Sequence, residues 1–100
     1  MGDCKFNTQR IHAGYKPSEH HFASSVPIYQ TAAFELTNTE VANQIVTGQL
    51  PDRFDYSRDG NPTVAVFEKR IAALEGGVDA VAVGSGMSAI SFALFNVAEG

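Results

Sequence analysis

Asp79-Ala80-Val81-Ala82-Val83-Gly84-Ser85-Gly86-Met87-Ser88-Ala89 is the stretch that decides the fold. Its first part is apolar and partly β-branched, with no charge after Asp79, which predicts a short strand buried on both faces. Gly84-Ser85-Gly86 then breaks the run, and Met87 to about Val97 reads as a helix. Immediately upstream, Asn61-Pro62 predicts another helix start, because Asn caps and Pro suits the first helical position, where no N–H is needed. Val64, Phe67, Ile71 and Leu74 follow at helical spacing, with Glu68, Lys69 and Arg70 around the other side. Gly76-Gly77 ends that helix. Helix, buried strand, helix is the grammar of an α/β sheet.

Further back the signals weaken. Thr37-Asn38-Thr39-Glu40 reads as a capping box from Thr37 to Glu40. Val41, Ala42, Ile45 and Val46 would form the apolar stripe of the helix it opens, and Gly48 would stop it. Residues 49–60 are rich in turn formers: Pro51, Asp52, Asp55, Asp59 and Gly60. Residues 1–36 show little helical period, and Pro17, Pro27, His20-His21 and Ser24-Ser25 predict irregular, extended chain. Val26 to Phe34 is too apolar for a free tail. It is expected to be covered, either by the rest of the protein or by a second subunit.

Composition narrows the function classes. The 100 residues are 44% hydrophobic and 18% charged, as in ordinary soluble globular proteins. The formal net charge of −4 and the lack of a Lys/Arg run argue against nucleic-acid binding. No apolar run approaches the ~18 residues of a membrane span, and the start lacks the shape of a signal peptide. Cys4 is the single cysteine, so no internal disulfide forms and a cytoplasmic setting fits. It reads as an ordinary thiol near the terminus. His12, His20 and His21 do not match metal-ligand spacing, so no metal is expected.

Two segments have the chemistry of anion holders. A helix start presents unpaired N–H groups and a partial positive charge, and glycine lets a ligand approach the backbone. Ser85-Gly86-Met87 stands at such a start. The other reading of this turn is a tight strand-to-helix junction where small residues only permit packing. The spelling Gly84-x-Gly86-x-x-Ala89 also fits a dinucleotide fingerprint, although the acidic residue that would confirm it falls beyond Gly100. No Gly-Lys-Ser/Thr follows, which excludes a P-loop. Upstream, Tyr56 and Arg58 are two residues apart, so in an extended segment both would face one anion. Alternatively Arg58 pairs with Asp52, Asp55 or Asp59.

Together with their spacing, Tyr56-Ser57-Arg58-x-x-Asn61-Pro62-Thr63, Leu74-Glu75-Gly76-Gly77 and Gly84-Ser85-Gly86-Met87-Ser88-Ala89 resemble the Cys/Met-metabolism pyridoxal-phosphate enzymes. So do Thr8-x-x-Ile11-His12-Ala13-Gly14-Tyr15 and Val26-Pro27-Ile28-Tyr29-Gln30-Thr31. The resemblance implies an α/β fold. Residues 1–60 would be an N-terminal arm with one short helix and a loop. Residues 61–100 would start the large, cofactor-binding domain of an aspartate-aminotransferase-like (fold type I) enzyme. It implies pyridoxal 5'-phosphate as cofactor, a sulfur-containing or O-acylated amino acid as substrate, and a homotetramer built from catalytic dimers. Ser85, Gly86 and Met87 would bind the cofactor phosphate, and Tyr56 and Arg58 would reach the phosphate of the neighbouring subunit. The arm segments look most like O-acetylhomoserine sulfhydrylase, with a γ-lyase or cystathionine synthase as the alternative. A non-catalytic remnant of the family is the reading from another class. Lys5, Lys16 and Lys69 match no motif for the lysine that binds the cofactor covalently, so no catalytic residue is expected in this chain, which reads as the first quarter of such an enzyme.

Overall fold

The computed structural model describes residues 5–98, and α3 (Pro62–Glu75) is the element on which the rest is arranged. Before it come α1 (Phe6–His12), a 3-10 turn (Pro17–His20) and α2 (Thr39–Val46); after it comes α4 (Gly86–Val97). Cys4 lies outside the described residues.

Both ends of α3 follow the sequence reading. Asn61 Oδ1 accepts the Thr63 N–H at 2.9 Å, and Pro62 opens the helix. Gly76 closes it in the left-handed region at φ 67°, and the Gly77 N–H bonds back to the Ala72 carbonyl at 2.8 Å. That six-to-one bond satisfies a carbonyl the helix end would otherwise orphan. α4 begins at Gly86, with Ser85 as cap: its Oγ accepts the Ser88 N–H at 3.1 Å.

α2 departs from the reading by one residue. Its cap is Asn38, whose Oδ1 accepts the Val41 N–H at 2.8 Å, so Thr37 and Glu40 form no capping box. Asn and Thr both cap, and the residue with the right backbone wins. Asn38 is extended, whereas Thr37 sits at φ 71° with its hydroxyl accepting from Arg53 Nη2 at 3.2 Å.

The helix α1 corrects the view that residues 1–36 are wholly irregular. No side chain caps it and no acid occupies its first turn, so it carries none of the usual start signals. Tertiary contact supplies what local sequence lacks. Ala13 is 1% exposed, and Arg70 Nε donates to its carbonyl at 2.8 Å. Gly14, at φ 78°, lies so close to α3 that an added Cβ would meet Lys69 Cβ at 2.8 Å and the Arg70 backbone N at 2.9 Å. The packing of α1 on α3 is the one helix–helix contact among the described residues.

Beyond the 3-10 turn the arm is tied by aromatic side chains. Tyr15 stacks on His20 with ring centroids 5.4 Å apart, His20 Nδ1 lies 2.7 Å from the Tyr29 hydroxyl, and the Tyr15 hydroxyl donates to the Ala23 carbonyl at 2.6 Å. Of the stretch expected to be covered, Val26, Pro27, Tyr29 and Phe34 are half-buried, while Ile28 is 75% exposed.

The strand expected over Asp79–Val83 is not formed among the described residues. A strand exists only through its ladder, and no second segment pairs with this one. The β-pairing present is an antiparallel bridge between Ala33 and Tyr56. Burial is correspondingly thin. Ala13, Ile45, Val66 and Ala72 are the buried apolar residues, while Phe92, Leu94, Phe95 and Val97 of α4 are each more than half exposed. The Cα radius of gyration is 15.6 Å, against about 13 Å for a compact domain of this length. No described helix is long and apolar enough to cross a membrane.

Candidate cofactor site

Tyr56, Ser57 and Arg58 are placed by a network that begins at the start of α3. Asn61 is 6% exposed, and while its Oδ1 caps the helix, its Nδ2 donates to the Tyr29 carbonyl at 2.9 Å and to Ser57 Oγ at 3.0 Å. Ser57 Oγ in turn donates to the Thr31 carbonyl. Thr63 Oγ1 donates to the Pro27 carbonyl at 2.8 Å and accepts the Tyr29 N–H at 2.9 Å. The Phe34 N–H bonds to the Asp55 carbonyl at 2.9 Å and the Ser57 N–H to the Ala32 carbonyl at 2.8 Å. Residues 27–34, 55–57 and 61–63 are thereby fastened into one cluster.

On this base Tyr56 and Arg58 share a side, by a route other than the extended chain of the sequence reading. The chain turns after Tyr56: the N–H groups of Asp59 and Gly60 both reach the Tyr56 carbonyl, at 2.9 and 3.1 Å. The turn brings the Arg58 guanidinium carbon to 5.2 Å from the centre of the Tyr56 ring. This is a cation–π contact of about 0.5–1 kcal/mol at an exposed site. Arg58 forms no ion pair with Asp52, Asp55 or Asp59 among the described residues. Asp55 is diverted, its Oδ1 accepting the Tyr56 N–H at 2.8 Å. The guanidinium donors of Arg58 and the Tyr56 hydroxyl have no hydrogen-bond partner among the described residues.

At the second segment, the Ser85 hydroxyl is engaged twice, accepting the Ser88 N–H and donating to Ser88 Oγ at 3.0 Å. The N–H groups of Gly86 and Met87, in the first turn of α4, have no acceptor among the described residues. Neither Gly84 nor Gly86 has a positive φ, and an added Cβ at either would meet nothing within 4 Å. Among the described residues, then, no neighbour packs against either glycine. Open backbone, unpaired N–H groups and a helix N-terminus together fit a phosphate.

The two segments are not joined: no hydrogen bond or ring contact links Tyr56 or Arg58 to Ser85, Gly86 or Met87 among the described residues. A cleft of about 930 Å³ lies elsewhere, lined by His12, Tyr15, Lys16, His20, Arg53 and Lys69 among others, and none of Tyr56, Arg58, Ser85, Gly86 and Met87 borders it.

Residues 7–100 match the sequence profile described as Cys/Met metabolism PLP-dependent enzyme. The chain belongs to that family. Pyridoxal phosphate is the family's cofactor. The chain is 41% identical over 92 residues to an L-methionine gamma-lyase of Pseudomonas putida, covering 92% of this chain and 23% of that protein. It is 46% identical over 94 residues to an O-acetyl-L-homoserine sulfhydrylase of Corynebacterium glutamicum, covering 93% and 21%. The crystal structure of metB from Corynebacterium glutamicum superposes with a TM-score of 0.80 at 31% identity, covering 97% of this chain and 23% of that one. The chain thus has the fold of the corresponding part of a fold type I pyridoxal-phosphate enzyme. It spans about a fifth of the length of the relatives it matches.

Asn61 and Pro62 were legible as a helix start, but the bonds of Asn61 and Thr63 to Pro27 and Tyr29 were not, since those partners in the arm lie 32 to 36 residues away. The only available signal was the paired occurrence of polar Asn61 and Thr63 around Pro62, more hydrogen-bonding capacity than a cap requires.

Proposed function

We propose that this chain is the amino-terminal part of a pyridoxal-phosphate enzyme of sulfur amino-acid metabolism. Residues 1–60 serve as its arm and residues 61–100 open its cofactor domain. Gly86 and Met87 give their main-chain N–H groups to the cofactor phosphate, and the Ser85 hydroxyl shapes the turn that presents them. Tyr56 and Arg58 reach across a dimer interface to the phosphate bound by the neighbouring subunit. The observation that carries this reading is the pairing of two uncommitted donor sets, one neutral at Gly86/Met87 and one cationic at Arg58. Among the described residues no contact joins them.

When bound, pyridoxal phosphate supplies the electron sink for chemistry on an amino acid. The residues described here hold and orient it. Backbone donors at a helix start fix the phosphate without needing to move, and the guanidinium adds charge-assisted bonds worth roughly 1.5–3 kcal/mol. The reaction proposed for the whole protein is replacement of acetate on O-acetylhomoserine by sulfide, giving homocysteine. Likeness to the Corynebacterium O-acetyl-L-homoserine sulfhydrylase supports it, and likeness to the Pseudomonas L-methionine gamma-lyase supports elimination from methionine as the second reading. A homo-oligomer and a cytoplasmic location belong to the same proposal.

Subunit mixing tests the shared site in the full-length protein. Arg58→Ala is combined with a variant lacking the lysine that binds the cofactor, each inactive alone. Mixed dimers contain one site with both groups intact, so activity with O-acetylhomoserine and sulfide should reappear. Verified subunit exchange without recovery would refute the sharing of Arg58. Turnover of methionine but not of O-acetylhomoserine would shift the reaction to the second reading.

A further inference from the structure

We infer that Glu68 is the positioning residue that sets the Ser85–Met87 turn against α3, an inference that rests on the phosphate-binding reading of that turn. Among the described residues, one hydrogen bond ties residues 78–98 to the rest of the chain. The Ala82 N–H donates to Glu68 Oε2 at 2.7 Å. The other side-chain bonds in this region are local, Ala80 N–H to Asp79 Oδ1 and the Ser85–Ser88 pair, and its backbone bonds stay within α4 and its ends. α4 packs on no other helix among the described residues. Ala82 stands two residues before Gly84 and four before Gly86, so fixing its amide fixes where the turn begins.

The acceptor is a half-buried carboxylate, which makes the bond charge-assisted and short. Glu68 has no ion pair with Lys69 or Arg70 or with any other described residue, so its carboxylate serves this amide alone. The sequence reading had placed it on a plain polar face. The same helix carries Asn61, whose Nδ2 holds Ser57 between Tyr56 and Arg58. Asn61 and Glu68 are seven residues apart, about two turns or ~10 Å along the axis. α3 is a rigid strut with one donor set fastened near its start and the other fastened at its middle. Glu68 touches no cofactor; it acts through the Ala82 amide.

The test uses the full-length protein with Glu68→Met, similar in length but without an oxygen, Glu68→Gln, which keeps a neutral acceptor, and Gly86→Val. The readouts are the dissociation constant of pyridoxal phosphate from the apoprotein, the circular dichroism of the bound cofactor, and hydrogen exchange at Ala82. Glu68→Met should weaken cofactor binding about tenfold, equivalent to about 1.4 kcal/mol. It should also alter the cofactor dichroism. Glu68→Gln should weaken binding by about threefold, since a neutral bond is roughly half as strong, with faster exchange at Ala82. A purely structural role would lower the melting temperature and leave the dichroism of bound cofactor unchanged, and that result overturns the inference. So does a wild-type dissociation constant in Glu68→Met or, if that variant does not fold, in Glu68→Gln. If Gly86→Val binds cofactor normally, it is the phosphate reading of the turn that falls. If Gly86→Val weakens binding and neither Glu68 variant does, only the role of Glu68 falls.

Discussion

Replacing Asn61 should loosen three separate stretches of chain at once. Its side chain makes three hydrogen bonds, to the Thr63 N–H, the Tyr29 carbonyl and Ser57 Oγ. Losing an Asn cap costs about 1 kcal/mol. Each of the two Nδ2 bonds contributes about 1 kcal/mol, and both acceptors are left half-buried. Asn61→Ala is therefore expected to cost about 3 kcal/mol, and Asn61→Asp, which caps as well as Asn but donates nothing, about 2 kcal/mol. The assay is hydrogen exchange in the full-length protein, read at the amides of Tyr29, Phe34 and Ser57. Those amides bond to Thr63 Oγ1, Asp55 and Ala32 respectively, so they open only when the cluster opens. Local opening weakened by 3 kcal/mol speeds exchange by roughly a hundredfold. Amides within α1 should change little. If Asn61→Ala alters exchange only at Thr63 and its helical neighbours, the side chain is a cap and nothing more, and the cluster argument is wrong.

Two other substitutions probe the close approaches. Gly14→Ala forces a methyl to within 3 Å of both Lys69 Cβ and the Arg70 backbone at a positive φ, so α1 should separate from α3 at a cost of about 1–3 kcal/mol; an unchanged denaturation midpoint in the full-length protein would refute the contact. A Cβ added at Gly86 would meet no atom within 4 Å, so Gly86→Val should leave the fold in place while pyridoxal-phosphate titration shows weakened binding.

α3 and α4 were legible because their ends are written locally. Asn61-Pro62 and Gly76-Gly77 specify caps within four residues of the helix, and Ser85 does the same for α4. α2 was legible as an element but not in its first residue, because Thr37, Asn38 and Thr39 are all plausible caps and backbone geometry chose the middle one. α1 was illegible because it depends on Ala13 and Gly14 docking on a helix more than fifty residues away. The strand over Asp79–Val83 was read from side-chain character, but hydrogen-bond partners make a strand and none of the described segments provides them. For the site, residue types and spacing pointed to both donor sets. They did not show the turn that brings Arg58 over the Tyr56 ring, or the bonds from Asn61 to Ser57 and from Ala82 to Glu68.

The resting place of Arg58 bears on how readily two subunits could join. With Asp52, Asp55 and Asp59 nearby in sequence, an arginine stored on a carboxylate would have to exchange one anion for another, and the stranded acid would oppose the change. Here the cation leans on the Tyr56 ring, while Asp55 is occupied by a backbone amide. Leaving the ring forfeits about 0.5–1 kcal/mol, less than a phosphate returns to a charged donor. If Arg58 takes a phosphate across a dimer interface as proposed, the loop would act as a sprung latch without a catch: among the described residues no competing anion has to be evicted before it closes.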